Sequence, residues 1–178
     1  MSAGDRPVHA CIGLGANLGR PLQRLRQAAA ALAALPDTRL LALSRFYRTP
    51  AWGRLDQPDF VNAAALLESR LTPQVLLQAL LRIEREAGRE RDADSRWGPR
   101  VLDLDLLLYG GRMLDLPGLQ VPHPHLHERA FALVPLAEIA PAEPFPGHGT
   151  VAEALRNLDP GQPGAGTIEP LDASAGMD

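Results

Sequence analysis

The sequence predicts an α+β fold with a ferredoxin-like βαββαβ core, in which helices pack on one face of an antiparallel sheet and short C-terminal helices follow. Three observations predict it. Up to residue 109 the apolar runs, and the glycines and prolines that interrupt them, predict the order strand, helix, strand, strand, helix, strand. A length of 178 residues suits one domain and is short for two. Residues 159–178 offer little to bury, so we expect one domain over residues 1–158 and a disordered tail.

The first helix and the first three strands are marked by apolar runs and by the residues that interrupt them. Residues 8–14 predict a strand, and residues 21–35 predict a helix that begins at a proline. The glycines between them are spaced G-x-G-x-x-x-G, which differs from the dinucleotide-binding fingerprint and favours a tight turn in which Asn17 caps the helix. Residues 39–47 and 60–71 predict two strands, joined by a stretch that is long for a hairpin.

The later helices follow from spacing and capping residues. Thr72 opens a helix with leucines at helical spacing, and Gly88 closes it. After the last core strand we expect a helix that begins near His127 and is interrupted at Pro135. A short helix follows from Thr150, in which a glutamate completes a capping box.

The most informative segment is the last core strand, an apolar run that contains Asp103 and Asp105. Side chains two residues apart in a strand point to the same face, so the two carboxylates lie about 7 Å apart on one side. Two anions at the edge of a core need a compensating cation. Either Mg²⁺, which prefers oxygen ligands, or arginines that precede the strand would supply it. On the opposite face we expect Leu102, Leu104, Leu106 and Leu108.

Composition restricts the classes of function. All 18 basic residues are arginine, so the chain has no lysine for a Walker A loop, a kinase ion pair or a Schiff base. A net charge of −3 argues against nucleic acid as the main partner and favours small substrates. The single cysteine, Cys11, excludes an intrachain disulfide, and no apolar stretch is long enough to span a membrane. We therefore expect a cytoplasmic protein.

Two polar clusters each allow two interpretations. The arginines between residues 82 and 100 alternate with acidic residues, which fits a salt-bridged surface or a glycine-flanked loop that closes over an anionic ligand. His123, His125 and His127 alternate along an extended segment, which fits a zinc site or a loop in which one histidine contacts a ligand. The lack of a cysteine or fourth ligand nearby favours the loop.

Aromatic residues are scarce, at 4% of the chain, so the placement of each one matters. Phe60 and Phe131 are each either a core residue or one side of a stack around a flat heterocycle. Asn62 lies near the first in sequence and Arg129 near the second, as a heterocycle site would require.

Five motifs, in a fixed order, resemble those of the 6-hydroxymethyl-7,8-dihydropterin pyrophosphokinases of folate biosynthesis. They are Phe-Tyr-Arg-Thr-Pro at residues 46–50, Gln-Pro-Asp-Phe-Val-Asn-Ala at 57–63, Arg-Trp-Gly-Pro-Arg-x-Leu-Asp-Leu-Asp at 96–105, Val-Pro-His-Pro at 121–124 and Arg-Ala-Phe-Ala-Leu-x-Pro-Leu-x-Glu-Ile-Ala-Pro at 129–141. The likeness covers residues 11–158, and the motif that contains the two aspartates is highly specific.

The resemblance implies that ATP and hydroxymethyldihydropterin give AMP and the pterin diphosphate, by attack of the hydroxymethyl oxygen on the β-phosphorus. It implies two Mg²⁺ ions, both held by Asp103 and Asp105. It implies small molecules as the only partners, with no obligate protein partner evident. For the pterin, the matching positions are Thr49, Pro50, Trp52, Phe60, Asn62 and Phe131. For ATP, they are Glu84, Arg89, Arg91, Trp97, Arg100, Leu106, His123 and Arg129. The catalytic set is Arg91, Arg100, Asp103 and Asp105.

The chain departs from familiar members of that family in two regions. Asp92 and Asp94 place negative charge in the arginine-rich segment, where some members carry a basic residue. Gly118, Gln120 and Pro124 stand where some members use side chains toward ATP. On the fold alone, two rival functions stay open: a two-metal nucleotidyl transferase or cyclase, and a binding module without activity.

Overall fold

The computed structural model describes residues 6–51, 56–88, 99–159 and 168–171. Its helices are α1 (Pro21–Ala33), α2 (Pro73–Glu86), α3 (Ala130–Ile139) and α4 (Val151–Arg156). Its strands are β1 (Val8–Ala16), β2 (Thr38–Leu43), β3 (Tyr47–Thr49), β4 (Phe60–Ser69), β5 (Asp103–Tyr109), β6 (Leu114–Leu116), β7 (Leu119–Val121), β8 (Pro144–Phe145), β9 (Gly149–Thr150) and β10 (Glu169–Pro170). Among the helices of these ranges, none has both the length and the apolar character needed to cross a bilayer.

The main sheet has the strand order of a ferredoxin-like core. β1 lies between β4 and β5, and both neighbours are antiparallel to it. The outer edge of β4 pairs with β2 along its C-terminal half and with β3 along its N-terminal half. The predicted α+β fold and the βαββαβ order are therefore confirmed.

The predicted second strand is divided at Ser44. The backbone N–H of Ser44 donates to the carbonyl of Ala64, and the N–H of Ala64 donates to the Ser44 hydroxyl at 2.9 Å. The Ser44 hydroxyl accepts the hydrogen bond that a backbone carbonyl accepts in a regular strand pair. The pairing with β4 is therefore interrupted at Ser44, and β2 and β3 both pair with β4. As a consequence, Tyr47–Thr49 is a strand, although the sequence predicted an irregular stretch from residue 48.

Two apolar clusters cover the two faces of the sheet. On one face α1 and α2 pack against a cluster that includes Ile12 and Leu14 of β1. On the other face α3 and α4 pack against a cluster that includes Cys11 and Leu66. Burial raises the pKa of the Cys11 thiol well above its usual range, so this cysteine acts as a packing residue.

A β-bulge changes the alternation of side chains along β5. Ile12 of β1 is opposite Leu106, but its neighbour Cys11 is opposite Leu108, so Leu107 is an extra residue in the ladder. Leu102, Leu104 and Leu106 pack with α1 and α2, as predicted. The prediction for Leu108 is wrong, because the bulge turns both Leu107 and Leu108 toward α3 and α4.

The helix expected from His127 begins later and continues through the proline. A 3₁₀ turn occupies Leu126–Glu128, Arg129 has an extended backbone, and α3 starts at the next residue. Pro135 lies inside α3 without ending it. Its missing N–H is tolerated because Leu133 and Leu136, on either side of it, are fully buried and hold both halves of the helix on the sheet.

Two of the three predicted N-terminal helix caps are confirmed, and so is the glycine predicted to end α2. The Thr72 hydroxyl accepts a hydrogen bond from the N–H of Val75, and Gly88 follows α2 with a φ of 95° that favours glycine. The Thr150 hydroxyl accepts from the N–H of Glu153 at the start of α4. The prediction for Asn17 is wrong, because α1 begins without a side-chain cap and Asn17 bonds elsewhere.

Part of the predicted disordered tail belongs to the sheet. β10 pairs antiparallel with β3 on the edge that β4 leaves open. The N–H of Leu171 donates to the carbonyl of Phe46 at 2.7 Å, and its side chain packs against the cluster under α1. The prediction of disorder therefore does not hold for residues 168–171.

Candidate active site

A cavity of about 370 Å³ lies on the sheet face that carries α3, beside the first turn of that helix. The ends of the three central strands form its floor, and α3 with the segment before it forms the opposite wall. Alternate residues of each strand point to this face: Gly13 and Gly15 from β1, Asn62 from β4, and Asp103 and Asp105 from β5. The topology thus brings residues from three distant sequence segments to one spot.

The two glycines lie within β1, not in a turn as predicted, and they leave the floor of the cavity without side chains. A Cβ on Gly15 would lie 2.7 Å from Oδ1 of Asn62, which is too close for any real contact. A Cβ on Gly13 would lie 3.3 Å from the end of the Leu107 side chain. The G-x-G spacing therefore keeps space open above the sheet, and sequence analysis missed this role.

A buried hydrogen bond fixes the amide at the floor. Asn62 is buried, and its Nδ2 donates to Oγ1 of Thr49, which is also buried, at 2.7 Å. This bond joins β4 to β3 and holds Oδ1 of Asn62 over Gly15. Phe60, at the start of β4, and Phe131, in the first turn of α3, line the cavity from the sheet side and the helix side.

The two aspartates face a half-buried arginine across the cavity. Asp103 and Asp105 are half-buried on β5, and Arg129 lies at the start of α3. Burial lowers the pKa of the Arg129 guanidinium, and the nearby carboxylates of Asp105 and Asp103 oppose that shift. Two carboxylates on one face, open to a cavity, are a donor set that fits Mg²⁺. Arg100, which precedes the strand, also lines this cavity, so the structure is compatible with both sequence interpretations.

His123 lies on the cavity wall as a neutral ring. Burial, together with the charges of Arg129 and His125, lowers its pKa to about 4, although Asp103 opposes this shift. The backbone N–H of His125 donates to Nδ1 of His123 at 3.3 Å, which places the proton of the neutral ring on Nε2. The backbone N–H of His123 donates to the carbonyl of Leu107 at 3.0 Å and so ties this segment to β5.

A second cavity, of about 480 Å³, meets the first one at Asp105 and His123. Leucines of α2, β5 and the β6–β7 hairpin form much of its wall, and Leu106 is one of them. Gly118 and Gln120, two of the positions at which this chain departs from familiar family members, also line it. The two cavities share Asp105, His123 and Pro124 as lining residues and therefore lie next to each other.

Asn17 connects the two loops that frame the site. Its Oδ1 accepts from the N–H of Arg100 at 2.8 Å, and its own N–H donates to the carbonyl of Arg100 at 3.0 Å. Its Nδ2 donates to Oε1 of Gln57 and to the carbonyl of Pro58, both at 2.9 Å. Sequence analysis missed this role, since no local pattern shows that residues 17, 57 and 100 meet.

The three alternating histidines do not converge. His123 and His125 line the first cavity, whereas His127 stacks on His148 with ring centroids 4.7 Å apart. His125 and His127 each contact a carboxylate oxygen of Glu128. In the described ranges, no three His, Cys, Asp or Glu side chains are placed to hold a metal ion together. This arrangement contradicts the zinc alternative and favours a loop that contacts a ligand.

Comparison with known proteins places the chain in a family. The family model described as 7,8-dihydro-6-hydroxymethylpterin-pyrophosphokinase (HPPK) matches residues 11–141. The chain belongs to this family. The resemblance drawn from the five motifs is therefore confirmed.

Curated relatives in several bacteria are similar to this pyrophosphokinase-family chain over most of their length. The 2-amino-4-hydroxy-6-hydroxymethyldihydropteridine pyrophosphokinase of Pseudomonas aeruginosa is 49% identical over 144 residues, which cover 81% of this chain and 88% of the relative. The enzyme of the same name in Methylorubrum extorquens is 49% identical over 153 residues, with 86% and 95% covered. That of Haemophilus influenzae is 43% identical over 151 residues, with 85% and 93% covered.

Solved structures support the fold of the family. The crystal structure of Plasmodium falciparum HPPK-DHPS wild type with pteroate matches with a TM-score of 0.65 at 13% identity, over 86% of this chain and 43% of that one. A structure of HPPK-DHPS in complex with substrates matches with a TM-score of 0.61 at 12% identity, over 84% and 43%. The pyrophosphokinase-family chain thus spans less than half of those proteins, and this likeness concerns the fold alone.

The structure brings together many of the positions that the pyrophosphokinase motifs predict. Leu106 lines the second cavity. Glu84 instead lies behind β5, almost fully buried, where Oε2 accepts from the N–H of Leu104 at 2.8 Å. Glu84 therefore supports the strand of the aspartates, and its contact with ATP stays a prediction. The first cavity is lined by Thr49, Pro50, Phe60, Asn62, Arg100, Asp103, Asp105, His123, Arg129 and Phe131. Trp52, Arg89, Arg91 and Trp97, with the predicted closing loop, lie outside the described residues.

Proposed function

We propose that this chain transfers the β,γ-diphosphate of ATP to the hydroxymethyl group of 6-hydroxymethyl-7,8-dihydropterin, which gives AMP and the pterin diphosphate of folate biosynthesis. The observation that carries this proposal is the junction of two cavities at Asp105 and His123. One cavity has aromatic and amide groups suited to a pterin, and the other has the leucine-rich wall that a nucleoside needs. Membership of the pyrophosphokinase family supports the same reaction.

The first cavity would hold the pterin. Phe60 and Phe131 line it from opposite elements, so a flat heterocycle between them would stack on both rings. The Asn62 amide, fixed by Thr49, would accept and donate hydrogen bonds at the polar edge of the ring. Pro50 closes this side, and we assign Trp52 a backbone role there by its position in the family motif.

The second cavity would hold the adenosine, with the triphosphate passing Asp105 and His123 into the first cavity. Arg100 and Arg129 line that first cavity, and arginine forks pair with phosphate oxygens. The neutral His123 ring would donate from Nε2 to a phosphate oxygen. By their positions in the motifs, we also assign the phosphates to Arg89 and Arg91 and the nucleotide to Trp97.

Asp103 and Asp105 would hold two Mg²⁺ ions, and these would supply charge neutralisation along the triphosphate when bound. The chain itself supplies position. Stacking between the two phenylalanines would fix the direction of the hydroxymethyl group, and the arginines would hold the phosphates against it. Negative charge grows on the oxygen that leaves with AMP, and the cationic side chains of Arg100 and Arg129 would stabilise it.

We further propose that the protein acts in the cytoplasm, with small molecules as its partners and with no obligate protein partner, nucleic acid or membrane. Its net charge of −3 and the presence of two cavities of small-molecule size support this choice.

The test is the identity of the nucleotide product. The purified chain is incubated with ATP and Mg²⁺, once with and once without 6-hydroxymethyl-7,8-dihydropterin. The products are then separated by chromatography. We expect AMP to appear only when the pterin is present. Release of pyrophosphate without the pterin would favour a nucleotidyl transferase or cyclase, and formation of ADP would refute diphosphate transfer.

A further inference from the structure

A cluster of three side chains outside the cavity joins α3 to the segment before β3. Glu138, near the C-terminal end of α3, accepts hydrogen bonds from the backbone N–H and from Nε of Arg45, both at 2.7 Å. The Tyr47 hydroxyl donates to Oε1 of the same carboxylate at 2.5 Å, and the Arg45 guanidinium lies over the Tyr47 ring. Glu138 and Tyr47 belong to two of the five motifs, yet neither touches the cavity.

The cluster connects the two walls of the first cavity. Phe131 and Glu138 are seven residues apart on α3, so they lie on one side of the helix, about 10 Å apart along its axis. Tyr47 and Thr49 are two residues apart on β3, so they share one face of the sheet. The contact of Glu138 with Tyr47 therefore fixes the wall that carries Phe131 relative to the wall that carries Thr49.

An ordinary surface ion pair would explain less. The Arg45 side chain is 64% exposed, and an exposed ion pair contributes little to stability. The Tyr47 side chain is instead buried, and both carboxylate oxygens of Glu138 receive donors from a single short segment. Burial raises the pKa of Glu138, but the hydrogen bonds from Tyr47 and Arg45 outweigh that effect and lower it. The arrangement fixes geometry more than it adds stability.

We propose that Glu138 is a positioning residue for the pterin. Through Tyr47 and Arg45 it sets the distance between α3, which carries Phe131, and the sheet, which carries Asn62 and Thr49. This inference depends on the proposed function for the identity of the ligand. A flat ring stacks well only within a narrow range of wall separations, so a small shift of α3 weakens pterin binding. The cavity proposed for the adenosine is lined by other elements. Of the side chains proposed to bind the triphosphate, Arg129 lies at the start of α3, so we expect ATP binding to change less than pterin binding.

The experiment compares Glu138→Gln and Tyr47→Phe with the wild-type chain. The first leaves an amide nitrogen where one carboxylate oxygen accepted hydrogen bonds, and the second removes only the hydroxyl donor. We expect each to raise the KM for the pterin about tenfold, while the KM for ATP rises clearly less, because only Arg129 of its proposed ligands lies on α3. The double variant should resemble Glu138→Gln alone, because both changes break one contact. Glu68→Gln is the matched control, since Glu68 pairs with Arg39 at the far end of β4.

Pterin binding is also measured directly, by fluorescence titration in the presence of a non-hydrolysable ATP analogue. This measurement keeps the proposed reaction and the proposed role of Glu138 distinguishable. A wild-type chain that binds the pterin without forming AMP would refute only the reaction. The dissociation constants of the variants would still test the role of Glu138. If Glu138→Gln does not fold, Tyr47→Phe, which keeps the buried ring, carries the test. A lower melting temperature with unchanged pterin affinity would show a purely structural contact and overturn the inference. An equal rise of both KM values, or a wild-type chain that binds no pterin, would also overturn it.

Discussion

Asp103 and Asp105 carry the charge on which the proposed chemistry depends, whereas the groups proposed to stack on the pterin are apolar. Asp103→Asn or Asp105→Asn should therefore lower kcat by at least about a hundredfold, since a single charged ligand supplies several kcal/mol of transition-state stabilisation. Pterin affinity should change less than about threefold, because the phenylalanines and Asn62 are unchanged. AMP formation and pterin fluorescence measure the two effects.

Asp37→Asn provides the control for this pair of variants, because Asp37 lies in an exposed turn with a φ of 52°, which asparagine also adopts. Near-normal turnover in either Asp103→Asn or Asp105→Asn would contradict the assignment of metal ligands.

The two glycines of the cavity floor allow a matched comparison. In Gly15→Ala the new methyl group would meet Oδ1 of Asn62 at 2.7 Å, so the amide must move and its bond to Thr49 is disturbed. In Gly13→Ala the nearest atom is the end of the flexible Leu107 side chain, at 3.3 Å. We expect the KM for the pterin to rise at least about tenfold in the first variant and clearly less in the second. Equal KM values for the two variants would contradict this account.

At the scale of elements, the sequence predicts what depends on local pattern. The capping of α2 by Thr72 and the alternation of β5 as far as Leu106 were predictable, because each depends on residues that are neighbours in the chain. The bulge at Leu107 was not, since it is defined by the register with β1. The division at Ser44 was not predictable either, because the Ser44 hydroxyl accepts a hydrogen bond from the N–H of Ala64, which belongs to another strand. This bond is the reason that one predicted strand became two.

The candidate site was likewise predictable from the sequence only in part. The motifs predicted Asp103, Asp105 and Asn62, and these three side chains line one cavity. Sequence reasoning assigned Asn17 to a helix cap because asparagine is common there. In the structure its partners lie 40 and 83 residues away, at Gln57 and Arg100. Such contacts depend on the complete topology, which no local spacing reveals.

The strand β10 predicts an effect of truncation. Deletion of residues 168–178 removes the outer partner of β3 and the packing of Leu171 under α1, worth about 1–2 kcal/mol. We expect the melting temperature to fall by about 3–6 °C and the KM for the pterin to rise, because β3 carries Thr49. Deletion of residues 172–178 alone is the control and should change neither quantity. If the two truncated chains melt at the same temperature, β10 does not support β3.

At the scale of the whole molecule, the two faces of the sheet have separate tasks. The face under α1 and α2 is an apolar core, whereas the face under α3 is apolar at one end and holds the cavity at the other. We propose one domain over residues 1–158, to whose sheet residues 168–171 add an edge strand. Two groups on the α3 face, His123 and Glu138, have lowered pKa values, and they make the stability of this domain depend on pH.

Acidification should destabilise the metal-free protein in two steps. The folded-state pKa of His123 is about 4, below its ordinary 6.5, so between these values the unfolded chain binds a proton that the folded chain does not. The free energy of unfolding should therefore be unaffected by this group above about pH 6.5 and fall by about 1–2 kcal/mol toward pH 4, after allowance for solvent screening. Glu138, whose pKa is lowered, contributes stability that is present above about pH 4.5 and lost as the pH falls further.

Urea unfolding at several pH values separates the two steps. His123→Gln should flatten the curve between about pH 6.5 and pH 4, and Glu138→Gln should flatten it only below that range. An unchanged slope in His123→Gln would show that another group is responsible.

The glycine floor of the cavity has a consequence for inhibitor design. A compound that lies on Gly13 and Gly15 meets main-chain atoms, and these are the same whatever the side chains around them are. Any substitution at these two positions adds bulk, which obstructs the proposed pterin together with the compound. A compound that takes its affinity from this floor therefore leaves few single substitutions that weaken its binding and still preserve binding of the proposed pterin.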